Sequence, residues 1–221
     1  MDESRLREQL LRLLDGGEAH IEAVEAVRAF PRALTRAALP DVEHTPWQLL
    51  EHLRIAQNDI LEFSRDPRYV SPPWPAGYWP REAVPPDEQA WPRSVEAFCR
   101  DLAAMQALVR DPRADLFTPF AHGQGQTLLR EALLVADHNA YHLGQLVLLR
   151  KALAARAART RARAGRTATR AARTRATRAP APASRPRSRA ARTPAQSRKR
   201  SDRRRPGAGK AARSRPAPRD S

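Results

Sequence analysis

Apolar residues recur every three to four positions over four stretches of the chain, the spacing that gathers them on one face of a helix. Leu6, Leu10, Leu13 and Leu14 form the first stripe, and Ile21, Val24 and Val27 continue it beyond Gly16-Gly17. The pattern predicts a helix over 4–30, with the glycine pair as the point where it kinks or splits in two. Thr45-Pro46-Trp47-Gln48 opens a second helix. A threonine cap, a proline at the first helical position and a glutamine three residues after the cap are the parts of a capping box. This helix is expected to run to about Ser64, before Asp66-Pro67 ends it. Val95, Phe98, Leu102, Met105 and Val109 share one face of a third helix over about 93–110, stopped by Asp111-Pro112. Thr127 then caps a fourth over about 128–153, with Leu134, Val135, His138, His142, Gln145 and Leu149 on one side. No stretch alternates convincingly as a strand does. The fold class is therefore all-α, a four-helix bundle.

The segment 65–92, between the second and third helices, breaks the pattern. Eight prolines from Pro67 to Pro92 exclude a regular helix or a central strand. Tyr69, Trp74, Tyr78, Trp79 and Trp91 lie in the same segment. A loop this long with so many large rings is expected to pack over the body as a lid or pocket wall. Trp74, Tyr78 and Trp79 are the candidates for a substrate wall, with capping of the hydrophobic core as the other role open to them.

Charge divides the chain. The net charge of +16 over 221 residues suggests a polyanion as partner, but it averages two unlike segments. Residues 156–221 hold 21 Arg and 2 Lys against Asp202 and Asp220 only, whereas residues 1–155 hold 17 basic and 22 acidic side chains. This gives a domain over 1–154 and a tail over 155–221 built from Arg, Ala, Pro, Ser and Thr, without one aromatic residue. Such a composition cannot bury enough apolar surface to offset the entropy of ordering. The tail is expected to be disordered, or at best a frayed extension of the last helix through the Ala/Arg run 152–163. It would bind phosphate without sequence preference, so a non-enzymatic binding protein whose tail holds nucleic acid is the alternative functional reading. Arg, Ala, Pro, Thr and Ser are also what GC-rich DNA encodes in almost any frame, which leaves a frameshifted extension as a second account of the tail.

The single cysteine, Cys99, excludes an internal disulfide and a cysteine-based zinc site. No apolar run approaches the length of a transmembrane helix. The start Met-Asp-Glu-Ser-Arg lacks the apolar stretch of a signal peptide. A cytoplasmic location with no membrane partner is expected.

The candidate chemistry lies in the histidines. His138 and His142 are about one turn apart and project from the same, apolar, face of the fourth helix. Burying two imidazoles without partners costs free energy, and a shared metal ion meets that cost. His52, flanked by Leu49 and Ala56 on its own helix, should also face inward. Three neutral imidazoles leave a coordination position open, the catalytic rather than the structural type of site. The pair is not a zinc-peptidase motif, because Asn139 stands where that motif needs a glutamate base. Asp59, Glu131 and Asp137 are candidate acceptors for ring N–H groups. Gln145 is a candidate to bind a water or substrate, or to make an ordinary interhelical hydrogen bond. His20, His44 and His122 read as ordinary histidines.

Thr45-Pro-Trp-Gln-Leu-Leu-Glu-His52-Leu-Arg, the Pro/Trp/Tyr loop and His138-Asn-Ala-Tyr-His142-Leu-Gly-Gln145 together resemble the DinB/YfiT-like superfamily, over about residues 4–153. The resemblance implies a four-helix bundle with a divalent metal, which imidazole ligation leaves open as Zn, Ni or Fe, held by His52, His138 and His142. It implies a metal-dependent hydrolase, or a transferase or isomerase that uses a low-molecular-weight thiol, acting on a small molecule and often as a homodimer. Similar proteins usually end shortly after the fourth helix, so the tail departs from the pattern. A three-histidine ion can activate water for hydrolysis or hold a thiol as thiolate for transfer, and the residues are compatible with both. A bundle that has lost activity and only binds a ligand is the remaining reading.

Overall fold

The computed structural model describes residues 2–177. Among these the chain is helical throughout its regular elements. Helix α1 spans Glu3–Asp15, and the Asp2 carboxylate caps it by accepting from the Ser4 backbone N–H. The helix ends at Gly16 and Gly17, whose φ angles of 73° and 91° lie in the left-handed region that side chains with a Cβ resist. Two such residues in succession turn the chain away, and a separate short helix α2 follows over Ala23–Arg28. The glycine pair thus splits the expected 4–30 helix rather than kinking it.

Helix α3 spans Pro46–Arg65, and both halves of its capping box are made. The Gln48 N–H donates to Thr45 Oγ1 at 3.2 Å, and the Thr45 N–H donates to Gln48 Oε1 at 3.0 Å. Helix α4 spans Ala90–Arg110, three residues longer at its start than the sequence pattern suggests. Pro92 lies in its first turn, where a missing N–H costs no intrahelical bond. Helix α5 spans Leu128–Thr177.

Four long helices make the bundle. α1 packs on α4 and α5, and α3 packs on the same two, so α1 and α3 stand at opposite corners. α2 lies against α5. Leu50, Leu53, Leu61, Phe98, Leu102, Met105, Leu143 and Leu146 fill the interior with essentially no exposure. The 66–89 connection carries the chain back across the bundle, so α3 and α4 run in the same direction. Gln57 Nε2 donates to the Phe98 carbonyl at 2.7 Å, and one residue on in α3 Asn58 Nδ2 donates to Asp101 Oδ2 at 3.1 Å. α5 runs against α3, pairing Gln57 with Asn139, whose Nδ2 donates to Gln57 Oε1 at 2.8 Å.

One polar anchor closes the far end. The buried Arg7 guanidinium donates to the carbonyls of Val109 at 2.6 Å and Asp111 at 2.9 Å, and to that of Ala114. These are carbonyls at and beyond the end of α4, left without helical partners.

The structure corrects the expected end of the last helix. α5 does not stop near 153 but continues to Thr177, so helix replaces the expected disorder over 155–177. The expectation weighed burial, and burial is indeed absent: apart from half-buried Ala157, every residue from 154 to 174 is exposed. A helix that is already nucleated needs only local hydrogen bonds to propagate. Residues 154–177 are Ala, Arg and Thr with a single Gly and no Pro, and Ala and Arg are among the strongest helix formers. The part of the expectation that falls on 178–221 lies outside the described residues. No helix is long and apolar enough to cross a membrane among the described residues.

Candidate metal centre

α3 and α5 face each other at His52, His138 and His142. His52 Nε2 lies 3.2 Å from His142 Nε2 and 3.1 Å from His138 Nε2. Among the described residues these three form the one cluster of His, Cys, Asp or Glu able to ligate an ion, with ligand atoms all within 4.8 Å of one another. The histidine spacing on α5 and the inward face of α3 produce this meeting directly. The rings meet edge to face, with centroids 4.5 to 4.9 Å apart.

The outer ring nitrogens decide what the inner ones can do. His52 Nδ1 lies 2.9 Å from the Tyr78 carbonyl oxygen, and His142 Nδ1 lies 2.9 Å from Gln145 Oε1. Both oxygens only accept, so in each neutral ring Nδ1 carries the proton and Nε2 presents a lone pair. Two lone pairs therefore face each other at 3.2 Å with no proton between them. That arrangement is repulsive unless a cation lies among them. A tetrahedral zinc ion with Zn–N bonds of 2.0–2.1 Å separates its ligand nitrogens by about 3.3 Å. The donor set, its lone-pair polarity and its spacing all fit a divalent ion. His138 is the less complete ligand, because its buried Nδ1 has no hydrogen-bond partner.

All three imidazoles are held neutral. Burial pushes the His138 pKa down to about 3, with the neighbouring His142 and His52 adding to it. Burial also lowers His52, opposed by its bond to the Tyr78 carbonyl, and lowers His142, opposed by Gln145. Metal ligation needs the deprotonated ring, and the shift of all three below the ordinary imidazole value favours that form.

The proline-rich loop builds the outer shell. Trp79 stacks on His52 at 3.9 Å with the rings 1° from parallel, and on its other side it stacks on His44, again at 3.9 Å. Tyr78 is bound at both ends. Its carbonyl holds His52, and its hydroxyl donates to Asp59 Oδ2 at 2.7 Å. Burial and Asp59 push the Tyr78 hydroxyl pKa up, and push that of Tyr69 up to about 12. Gly77, just before, sits so close to Pro72 that an added Cβ would lie 2.6 Å from the proline Cβ. The loop can present the Tyr78 carbonyl only because that position has no side chain.

The candidate residues separate accordingly. Gln145 acts within its own helix, fixing the tautomer of His142 rather than reaching a neighbouring helix. None of the three candidate carboxylates receives a ring N–H. Asp59 accepts from Tyr78, buried Glu131 pairs with Arg130 at 2.6 Å, and Asp137 is exposed. Trp74 is 77 % exposed and packs edge-on against Tyr78. Asn139, in the place of a peptidase glutamate, ties α5 to Gln57.

A cavity of about 500 Å³ lies between α5 and the segment before α3, reaching Gln145 and His44 but none of the three clustered histidines. Leu39, Val42, Leu49, Leu148 and Leu149 make it apolar, with Glu43, His44 and Gln145 as its polar groups. None of Trp74, Tyr78 and Trp79 lines it; its wall comes from the segment 39–44, from Leu49 and from α5. His44 is the residue sequence reasoning missed. Only its place on the second face of Trp79 brings it to the site, and no spacing signal marks it.

The family model of the DinB superfamily matches residues 6–146. The chain belongs to the DinB superfamily. No curated protein and no solved structure matches it. The match covers the bundle and both histidine-bearing helices, and it ends within α5 before the exposed extension.

Proposed function

We propose that this DinB superfamily member is a metal-dependent hydrolase of a small, largely apolar molecule, with His52, His138 and His142 as ligands of a divalent ion. The observation that carries this reading is the pair of proton-free Nε2 atoms of His52 and His142 at 3.2 Å, each fixed from behind by a carbonyl oxygen. A divalent ion with three imidazole ligands supplies Lewis acidity at an open position, lowering the pKa of a water or thiol there.

The chain's own residues supply the rest. The Tyr78 carbonyl and Gln145 orient two of the rings, as outer partners of metal-binding histidines do. Trp79 shields one face of His52 from water. The leucines of the cavity receive an apolar group, and a volume of about 500 Å³ falls within the usual range for small-molecule sites. His44 and Glu43 line the same cavity and are placed to exchange a proton with a ligand in it. Water rather than a low-molecular-weight thiol is favoured as nucleophile by the lining. It contains no Lys or Arg to anchor the carboxylates that such thiols commonly carry.

The test is metal analysis of the purified protein beside a His138→Ala/His142→Ala variant. About one equivalent of a divalent metal in the wild type and none in the variant is expected, and equal content in both would overturn the site. Esters and amides with apolar groups, assayed with and without added thiols, then separate the chemistries. Turnover that requires the thiol would replace hydrolysis by transfer.

A further inference from the structure

Gln145 has one end of its carboxamide in use and the other free. Its Oε1 accepts from His142 Nδ1 at 2.9 Å. His142 lies outside the lining of the 500 Å³ cavity, whereas Gln145 is part of it. The carboxamide Nε2 is bonded to no described residue and is not among the buried unpartnered atoms. Its two N–H groups are therefore the polar function that Gln145 has left for the cavity. The apolar lining begins at this point and runs away from the histidines. Leu148, Leu149 and Ala152 follow Gln145 on α5, and Leu49 precedes His52 by one turn on α3. From Gln145 to Ala152 the helix rises about 10 Å, the length of an extended chain of about eight carbons.

We propose that the cavity takes a neutral alkyl chain bearing a carbonyl group, with Gln145 Nε2 donating to the carbonyl oxygen and the leucines holding the chain. A carbonyl oxygen has two lone pairs and no proton of its own, so it matches a group that offers only donors. Gln145 then serves the hydrolase reading, on which this assignment rests, through both ends of one carboxamide. Its oxygen orients His142, and its nitrogen holds the head of the ligand at the end of the cavity nearest the histidine cluster. The chain lies against Leu49, Leu148 and Leu149, where each buried methylene adds to affinity. Glu43 is the one formally charged side chain of the lining, so a carboxylate head meets repulsion there. Arg156 donates to the Ala38 carbonyl at 3.3 Å and is not part of the lining.

The test is calorimetric titration of the full chain, metal-free and metal-loaded, with 2-octanone, a carbonyl compound that cannot be hydrolysed. Binding is expected in both forms, with affinity rising up to about fourfold per methylene from 2-hexanone to 2-octanone. Gln145→Glu keeps an acceptor for the His142 ring N–H and removes both donors. It is expected to retain the metal content of the wild type and to bind 2-octanone at least about fivefold more weakly. Leu148→Asn, at a position of the lining that is 68 % exposed, is expected to weaken 2-octanone at least about twofold. No binding of 2-octanone, or wild-type affinity in folded Gln145→Glu, would overturn the proposal while metal content and ester turnover left the hydrolase reading standing. Tighter binding of 1-octanol or octanoate than of 2-octanone would overturn it as well. A wild type that holds no metal yet binds the ketone through Gln145 would remove the hydrolase reading and keep the carbonyl pocket.

Discussion

The two halves of α5 share one backbone and almost nothing else. Over 128–153 the helix buries Leu128, Ala132, Val135, Leu143, Leu146, Leu149 and Leu153 and turns His138 and His142 toward α3. Over 154–174 the same helix is exposed on almost every side and carries arginines in a row. The first half is ordered because tertiary packing rewards its apolar face, and the second because Ala and Arg propagate a helix that packing has started. Helicity alone therefore says little about where function sits. The candidate metal centre depends on what opposes the proximal half.

Removing the two proximal histidines should have the strongest effect. A His138→Ala/His142→Ala variant is expected to lose metal binding altogether while keeping the helical content of the distal half, read by metal analysis and circular dichroism on the same sample. Loss of the distal helix as well would show that the halves are not independent. Core truncation comes next. Leu146→Ala, at a position with no exposure, is expected to cost about 2–5 kcal/mol in denaturant unfolding, whereas Arg163→Ala should stay within about 0.5 kcal/mol. Similar costs at the two positions would contradict the division.

Outer-shell changes should be smaller and specific. Gln145→Ala frees the His142 tautomer and is expected to weaken metal affinity by about 10–100-fold with little change in unfolding free energy. Gly77→Ala should act in the same direction, because the added Cβ meets Pro72 at 2.6 Å and displaces the Tyr78 carbonyl from His52. Metal titration against a chelator measures both, and an unchanged affinity in Gln145→Ala would remove the tautomer argument.

The smallest effect is the pH dependence of the metal-free protein. The buried histidines bind protons less readily when folded than when unfolded, where the ordinary value is 6.5, and His138 is pushed down to about 3. Below pH 6.5 the unfolded chain takes up protons that the folded site refuses, so stability falls as pH drops toward the folded value and is fully present above 6.5. His138→Ala should flatten that fall in thermal denaturation of the metal-free form, while arginine substitutions in the distal half should leave it unchanged.

Much of the bundle is legible in the sequence. The Thr45 capping box, the stop at Asp66-Pro67 and the apolar stripes of α3, α4 and the first half of α5 are all local signals. The inward-facing histidines were legible for the same reason: a side chain four residues from another on an apolar face has one direction to point. The length of α5 is not legible from hydrophobicity, because propagation from a packed helix needs no burial of its own.

Local dihedral geometry thus fixes the periodic elements and the inward faces that carry the three histidines, because both are settled within a few residues of chain. Tertiary packing brings His52 to His138 and His142 and sets what stands behind the three imidazoles. Tyr78 reaches His52 across 26 positions of chain, Trp79 lies between His52 and His44, and Arg7 closes the end of α4 from more than a hundred residues away. Such contacts depend on how a proline-rich loop and separate helices come to rest against one another. No spacing along the chain encodes a distance that is set only when the bundle closes.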